Sequence, residues 1–87
     1  MTTPLVLPQI NLNGTSKQQL VEQQLDVAAK LRHLLKAMGA AAPHGRDYQF
    51  RPAEYRTAGT AWAERAAVIY DMLKEVEAHA LAIHDIP

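Results

Sequence analysis

The sequence predicts an all-α fold, a two-helix antiparallel hairpin with an extended N-terminal arm, assembling into a helical-bundle oligomer. Two long stretches carry apolar residues at steps of three and four, the period of an amphipathic helix. A polar segment around Pro43 and Gly45 separates them, short enough to join antiparallel neighbours. The 87 residues form a single helical domain over 1–87: an arm over 1–14, helix 1 over 15–42, a loop over 43–51 and helix 2 over 52–85.

The arm holds Pro4, Pro8 and Gly14 around Leu5, Val6, Leu7, Ile10 and Leu12. The prolines discourage helix. The alternation Ile10-Asn11-Leu12-Asn13 suits an extended segment with one apolar edge, too short to make a sheet alone. Helix 1 opens on Ser16-Lys17-Gln18-Gln19, a capping box in which the hydroxyl accepts from a first-turn N–H and Gln19 reaches back. Its seam is read as Leu20, Gln24, Val27, Leu31, Leu34 and Met38, widened by Val21, Ala28 and Leu35. Gly39 or the alanines after it end the helix before Pro43. Asp26 and Lys30 make an i,i+4 pair on the wet side.

Helix 2 opens at Pro52, a favoured first helical position. Its seam is more regular: Gly59, Trp62, Ala66, Ile69, Leu73, Val76, Ala80, Ile83. The steps alternate three and four over more than three heptads, as in left-handed bundles. Gly59 costs about 1 kcal/mol of helix propensity against alanine, which points to a close approach by a partner helix. Ala61, Val68 and Met72 form a second apolar line. Two helices bury one stripe each and leave their flanks open, so a homo-oligomer is the expected partner arrangement.

Composition narrows the function classes. A chain of this length buries only about 60% of its unfolded surface, and no cysteine is present to staple it. Nine basic residues balance nine acidic ones, so no global field draws the chain to DNA or to an anionic membrane. No apolar run approaches the ~20 residues of a membrane span, and Met1-Thr2-Thr3-Pro4 lacks the basic start of a secretion signal. The cytoplasm is the expected location. The histidines at 33, 44, 79 and 84 show no metal-ligand spacing, so neither metal nor cofactor is expected. No nucleophile–base set or carboxylate pair can be assembled, so an enzyme is not expected.

Two segments can carry a ligand. Asn13-Gly14-Thr15-Ser16 lies at the start of helix 1, where unpaired N–H groups and the dipole favour an anion. Lys17 is a cation in a first turn that disfavours it, and a nearby anion would explain it. An ordinary N-cap after a turn is the simpler account of the same residues. The second segment is Pro43-His44-Gly45-Arg46-Asp47-Tyr48-Gln49-Phe50-Arg51, followed by Tyr55 and Arg56. Three of the five aromatic residues fall there among arginines, whose forks suit phosphates as aromatic faces suit bases. Structurally, Gly45 would make the turn, Asp47 would pair with Arg46 or cap a turn, and Tyr48 and Phe50 would plug the bundle end. The two segments lie about 35 Å apart along an antiparallel hairpin. They meet only across an antiparallel dimer, giving candidate ligand residues Asn13, Gly14, Thr15, Ser16, Lys17, His44, Arg46, Asp47, Tyr48 and Arg51.

Ile10-Asn11-Leu12-Asn13-Gly14-Thr15-Ser16, a long helix, then Ala41-Ala42-Pro43-His44-Gly45-Arg46-Asp47-Tyr48 and a second helix resemble a family of small phage and prophage proteins. The likeness covers residues 10–84. Gln49 departs from the family, which carries a second aromatic after Arg-Asp-Tyr. More loosely, the architecture is similar to phage sponge proteins that counter bacterial immunity. That resemblance implies an oligomer sequestering a cyclic-nucleotide or ADP-ribose-type small molecule at subunit interfaces without cleaving it. The alternative is a structural or protein–protein interaction module with no small-molecule ligand.

Overall fold

The computed structural model describes residues 5–87; Pro4 and the reading of 1–4 as part of the arm lie outside them. Helix α1 spans Lys17–Ala40, a short 3-10 turn η1 spans Gly45–Tyr48, and helix α2 spans Pro52–His84. Both helices are a little shorter than expected, and η1 orders part of the expected loop. No helix among the described residues is long and apolar enough to cross a membrane.

Local chemistry sets the ends. Ser16 caps α1 in a reciprocal box with Gln19, satisfying two of the four N–H groups that every helix start leaves open. Gly39 does not stop α1: no glycine has positive φ, and the helix runs on to Ala40. Proline at the first position starts α2 without any side-chain cap from Arg51. The i,i+4 pair of Asp26 with Lys30 forms at 2.9 Å. Both groups are largely in water, where such a pair contributes only about 0.3–0.5 kcal/mol.

The helices pack antiparallel, and two hydrogen bonds fix their register. Lys17 Nζ donates to the Ile86 carbonyl at 2.9 Å, and Trp62 Nε1 donates to the Met38 carbonyl at 2.8 Å. The start of α1 therefore meets the end of α2, while the first turns of α2 overhang beyond α1. Tyr55, in that overhang, closes on the loop: its ring lies 5.7 Å from Tyr48 and within contact of Gly45.

The α2 seam lies where its periodicity placed it, with Leu73, Ala80 and Ile83 buried and the remaining positions half-buried. The α1 seam is corrected. Its inward residues are Lys17, Leu20, Val21, Gln24, Ala28, Leu31, Leu35 and Met38, with Ala28 fully buried. Val27 and Leu34, expected in the seam, are each 43% exposed. The reason is rotational phase. Leu20-Val27-Leu34 and Val21-Ala28-Leu35 are two apolar lines of identical seven-residue period, adjacent on the cylinder. Turning Lys17 toward the end of α2 selects the second line, whose central alanine admits closer helix approach.

Gly59 is half-buried, yet a Cβ built there meets nothing within 4 Å. The expected close approach to a partner helix is thus not made within the hairpin. Gly59→Ala is expected to raise stability by about 0.5–1 kcal/mol through helix propensity. A melting temperature raised by a few degrees at fixed protein concentration checks this; a lowered one would mean that a helix from another chain uses the gap.

The molecule is a single layer of two helices, with extents of 63 × 23 × 17 Å. Its radius of gyration is 18.3 Å, against about 12 Å for a compact chain of this length. Among the described residues, only Ala28, Leu73, Ala80 and Ile83 are buried. A core of four side chains is the direct consequence of one helix–helix seam with no third element over it.

Candidate functional site

The start of α1 is built from its own turn. Asn13 N–H donates to Asn11 Oδ1 at 3.0 Å, and Gly14 N–H donates to the Asn11 carbonyl at 3.3 Å. The Asn11 side chain lies over Gly14, where an added Cβ would meet its amide at 3.3 Å. Glycine is thus accounted for by the turn. The Ser16 hydroxyl accepts from Gln19 N–H at 3.1 Å and donates to Gln19 Oε1 at 3.1 Å.

Lys17 explains itself in the same way. Its ammonium is unfavourable at the N-terminal dipole of α1 but donates to the Ile86 carbonyl, just beyond the C-terminus of α2, near the negative end of the second dipole. The partner that the sequence sought in an external anion is supplied by the antiparallel helix. Beside Thr15 lies a shallow depression lined by Gln19, Glu22, Gln23 and Asp26. Two carboxylates there oppose a phosphate.

The loop end is differently made. His44 caps η1, its Nδ1 accepting from Arg46 N–H at 3.1 Å and its carbonyl from Asp47 N–H at 3.0 Å. The Arg51 guanidinium pairs with Glu54, one turn into α2. The expected pairing of Asp47 with Arg46 is not among the ion pairs of the described residues. Asp47 instead lines an open groove with Tyr48, Trp62 and Arg65. The Arg65 guanidinium lies 5.7 Å from the centre of the Trp62 ring, a cation–π arrangement. On the other side of Trp62, a second open groove is lined by Pro43, Tyr55, Arg56, Gly59 and Thr60.

Half of the aromatic plug is corrected. Tyr48 is half-buried against Tyr55, as a plug requires, but Phe50 is 93% exposed. Phe50 sits in the turn between η1 and α2, so its side chain projects from the tip.

Of the ten candidate residues, Asn13, Gly14, Thr15, Ser16 and Lys17 gather at the α1 start, and His44, Arg46, Asp47, Tyr48 and Arg51 gather at the loop. Within one chain the groups stay apart by the length of α1, about 36 Å for its 24 residues. Sequence reasoning missed Arg65 and favoured Trp62 as core over a stacking platform. The spacing of three between Trp62 and Arg65, which places neighbours on one helix face, was the available signal. Among the described residues, no group of three or more His, Asp or Glu side chains could hold a metal ion.

No protein-family model, curated protein or solved structure matches the chain. Its functional reading therefore rests on its own surface.

Proposed function

We propose that this chain is a protein–protein interaction module, a helical hairpin that self-assembles and works through the surfaces its assembly presents. The observation that carries this is area. The chain exposes 6822 Å², whereas a compact monomer of 9.6 kDa exposes about 5,100 Å². The excess, about 1,700 Å², is rich in large apolar side chains, among them Val6, Leu12, Leu25, Val27, Leu34, Phe50, Val68, Met72 and Leu81. Exposed apolar side chains in that number mark a surface suited to contact with another chain. An open, single-layer hairpin with four buried side chains gains its missing layer from another chain.

A second reading keeps the small-molecule ligand, as the resemblance to sponge proteins implies. It is favoured by the loop end, where Arg46 and Arg56 are exposed outside the ion pairs of the described residues and flank Tyr48, Tyr55 and Phe50. Such a cluster suits a phosphate-bearing, nucleotide-like molecule. The α1 start contributes less to it, since Ser16 and Lys17 are engaged within the chain.

One experiment separates the readings. Melting is followed by far-UV circular dichroism across a hundredfold dilution, without and with a panel of cyclic oligonucleotides and ADP-ribose-type compounds. The interaction module predicts a melting temperature that falls on dilution and does not respond to the panel. A saturable rise with one compound, abolished in Arg46→Ala while the oligomer persists, replaces the first reading with the second. A melting temperature independent of concentration removes self-assembly.

A further inference from the structure

The two edges of the helix–helix seam differ in chemistry. In an antiparallel pair, positions just after each seam residue line one edge, and positions just before line the other. Arg32 follows Leu31 and Glu77 follows Val76, and they bridge the helices at 3.2 Å. Lys74 adds its ammonium 3.5 Å from Glu77. That edge is crossed by charge at its middle, with Leu25, Tyr70 and Leu81 exposed around the bridge. The opposite edge carries exposed Val27 and Leu34 from α1, with half-buried Leu20 in the same row, and Met72 and, further round the helix, Val68 from α2. Val27 and Leu34 are each 43% exposed, Met72 44% and Val68 61%. The register set by Lys17–Ile86 and Trp62–Met38 brings Leu34 level with Val68, so the two rows form one continuous strip. Three residues at seven-residue spacing run about 21 Å along α1.

Resting on the self-assembly reading above, we propose that this Leu20–Val27–Leu34/Val68–Met72 edge is the docking surface for a second copy of the chain. Two hairpins pair across a two-fold axis into a four-helix bundle. The area argues for it: a standard interface takes about 800 Å² from each partner, well within the excess exposed by each chain. The charges argue for the occupant. None of the five strip residues is ionisable, and of their charged neighbours on that edge Lys30 is paired with Asp26 and Arg65 lies against Trp62, so two identical strips meet through uncharged side chains. Docking by the other edge would strip water from Arg32, Lys74 and Glu77, which is costly for charges already paired in solvent. A hairpin with so small a core also needs its partner whenever it folds, and another copy is always present in equal amount.

The test is light scattering on a sizing column with sedimentation equilibrium, on the full chain over a wide concentration range. The wild-type chain is expected at twice its 9.6 kDa mass. Val27→Glu and Val68→Glu are expected to weaken association at least tenfold. Leu25→Glu and Leu81→Glu, exposed apolar positions away from the strip, are expected to leave it unchanged. If the glutamate variants lose their helix signal, Val27→Thr with Val68→Thr replaces them and must still weaken association. An associated wild type that the strip variants do not loosen, or that the two control variants do, overturns this surface while leaving self-assembly standing. A folded wild-type monomer at every concentration overturns both.

Discussion

Trp62→Ala is expected to lower stability by about 3 kcal/mol, the range for removing a large packed aromatic. On a chain of this size that corresponds to a melting temperature lower by roughly 12–24 °C. Trp62 is where α1 is held at the loop end. Its indole N–H donates to the Met38 carbonyl, one of the last carbonyls of α1, at 2.8 Å, and its ring separates the two grooves flanking the loop. Truncation opens that end and leaves the Met38 carbonyl without its donor. Trp62→Phe keeps most of the ring and isolates the hydrogen bond, for a loss of about 1 kcal/mol. The measurement is a denaturant or thermal melt at matched protein concentration. A loss below about 1 kcal/mol for the alanine variant would show that the loop end is held by Tyr48 and Tyr55 instead.

Ile83→Ala carries the second large effect, about 2–4 kcal/mol. Ile83 is 2% exposed, the largest fully buried side chain among the described residues, whereas Leu81, two residues earlier, is 61% exposed. Leu81→Ala is expected to change stability by no more than about 0.5 kcal/mol. The pair isolates geometry from composition, because both lose aliphatic groups from the same turn of α2. Ile83 also packs near where Lys17 reaches the Ile86 carbonyl, so its loss frays the end that orients α1. Equal losses at 81 and 83 would mean that another surface covers Leu81.

The candidate site was legible as two segments, not as two functions. Asn13-Gly14-Thr15-Ser16 has the composition of an anion-binding helix start, and the same composition makes an ordinary turn and cap. The choice depends on where Lys17 and the Asn11 side chain go, and Lys17 bonds to a carbonyl 69 residues away. No local pattern reports such a distance. In the loop, the arginine and aromatic content was plain, but which aromatic packs was not. Tyr48 turns inward because η1 carries it toward Tyr55; Phe50, two residues on, lies past the end of that turn and points out.

By itself the sequence determined the helices: their number, their starts after the Ser16 cap and at Pro52, and the whole α2 seam. These depend on neighbours within about four residues, where propensity, capping and periodicity act. The tertiary structure alone decided which α1 line faces inward. Leu20-Val27-Leu34 and Val21-Ala28-Leu35 have the same period, and their hydrophobicity would favour the bulkier line. Packing prefers the slimmer one, since Ala28 at the seam lets the axes come close while Lys17 swings to the end of α2. That choice leaves the bulkier residues on an open edge, and so creates the strip on which the proposed assembly depends.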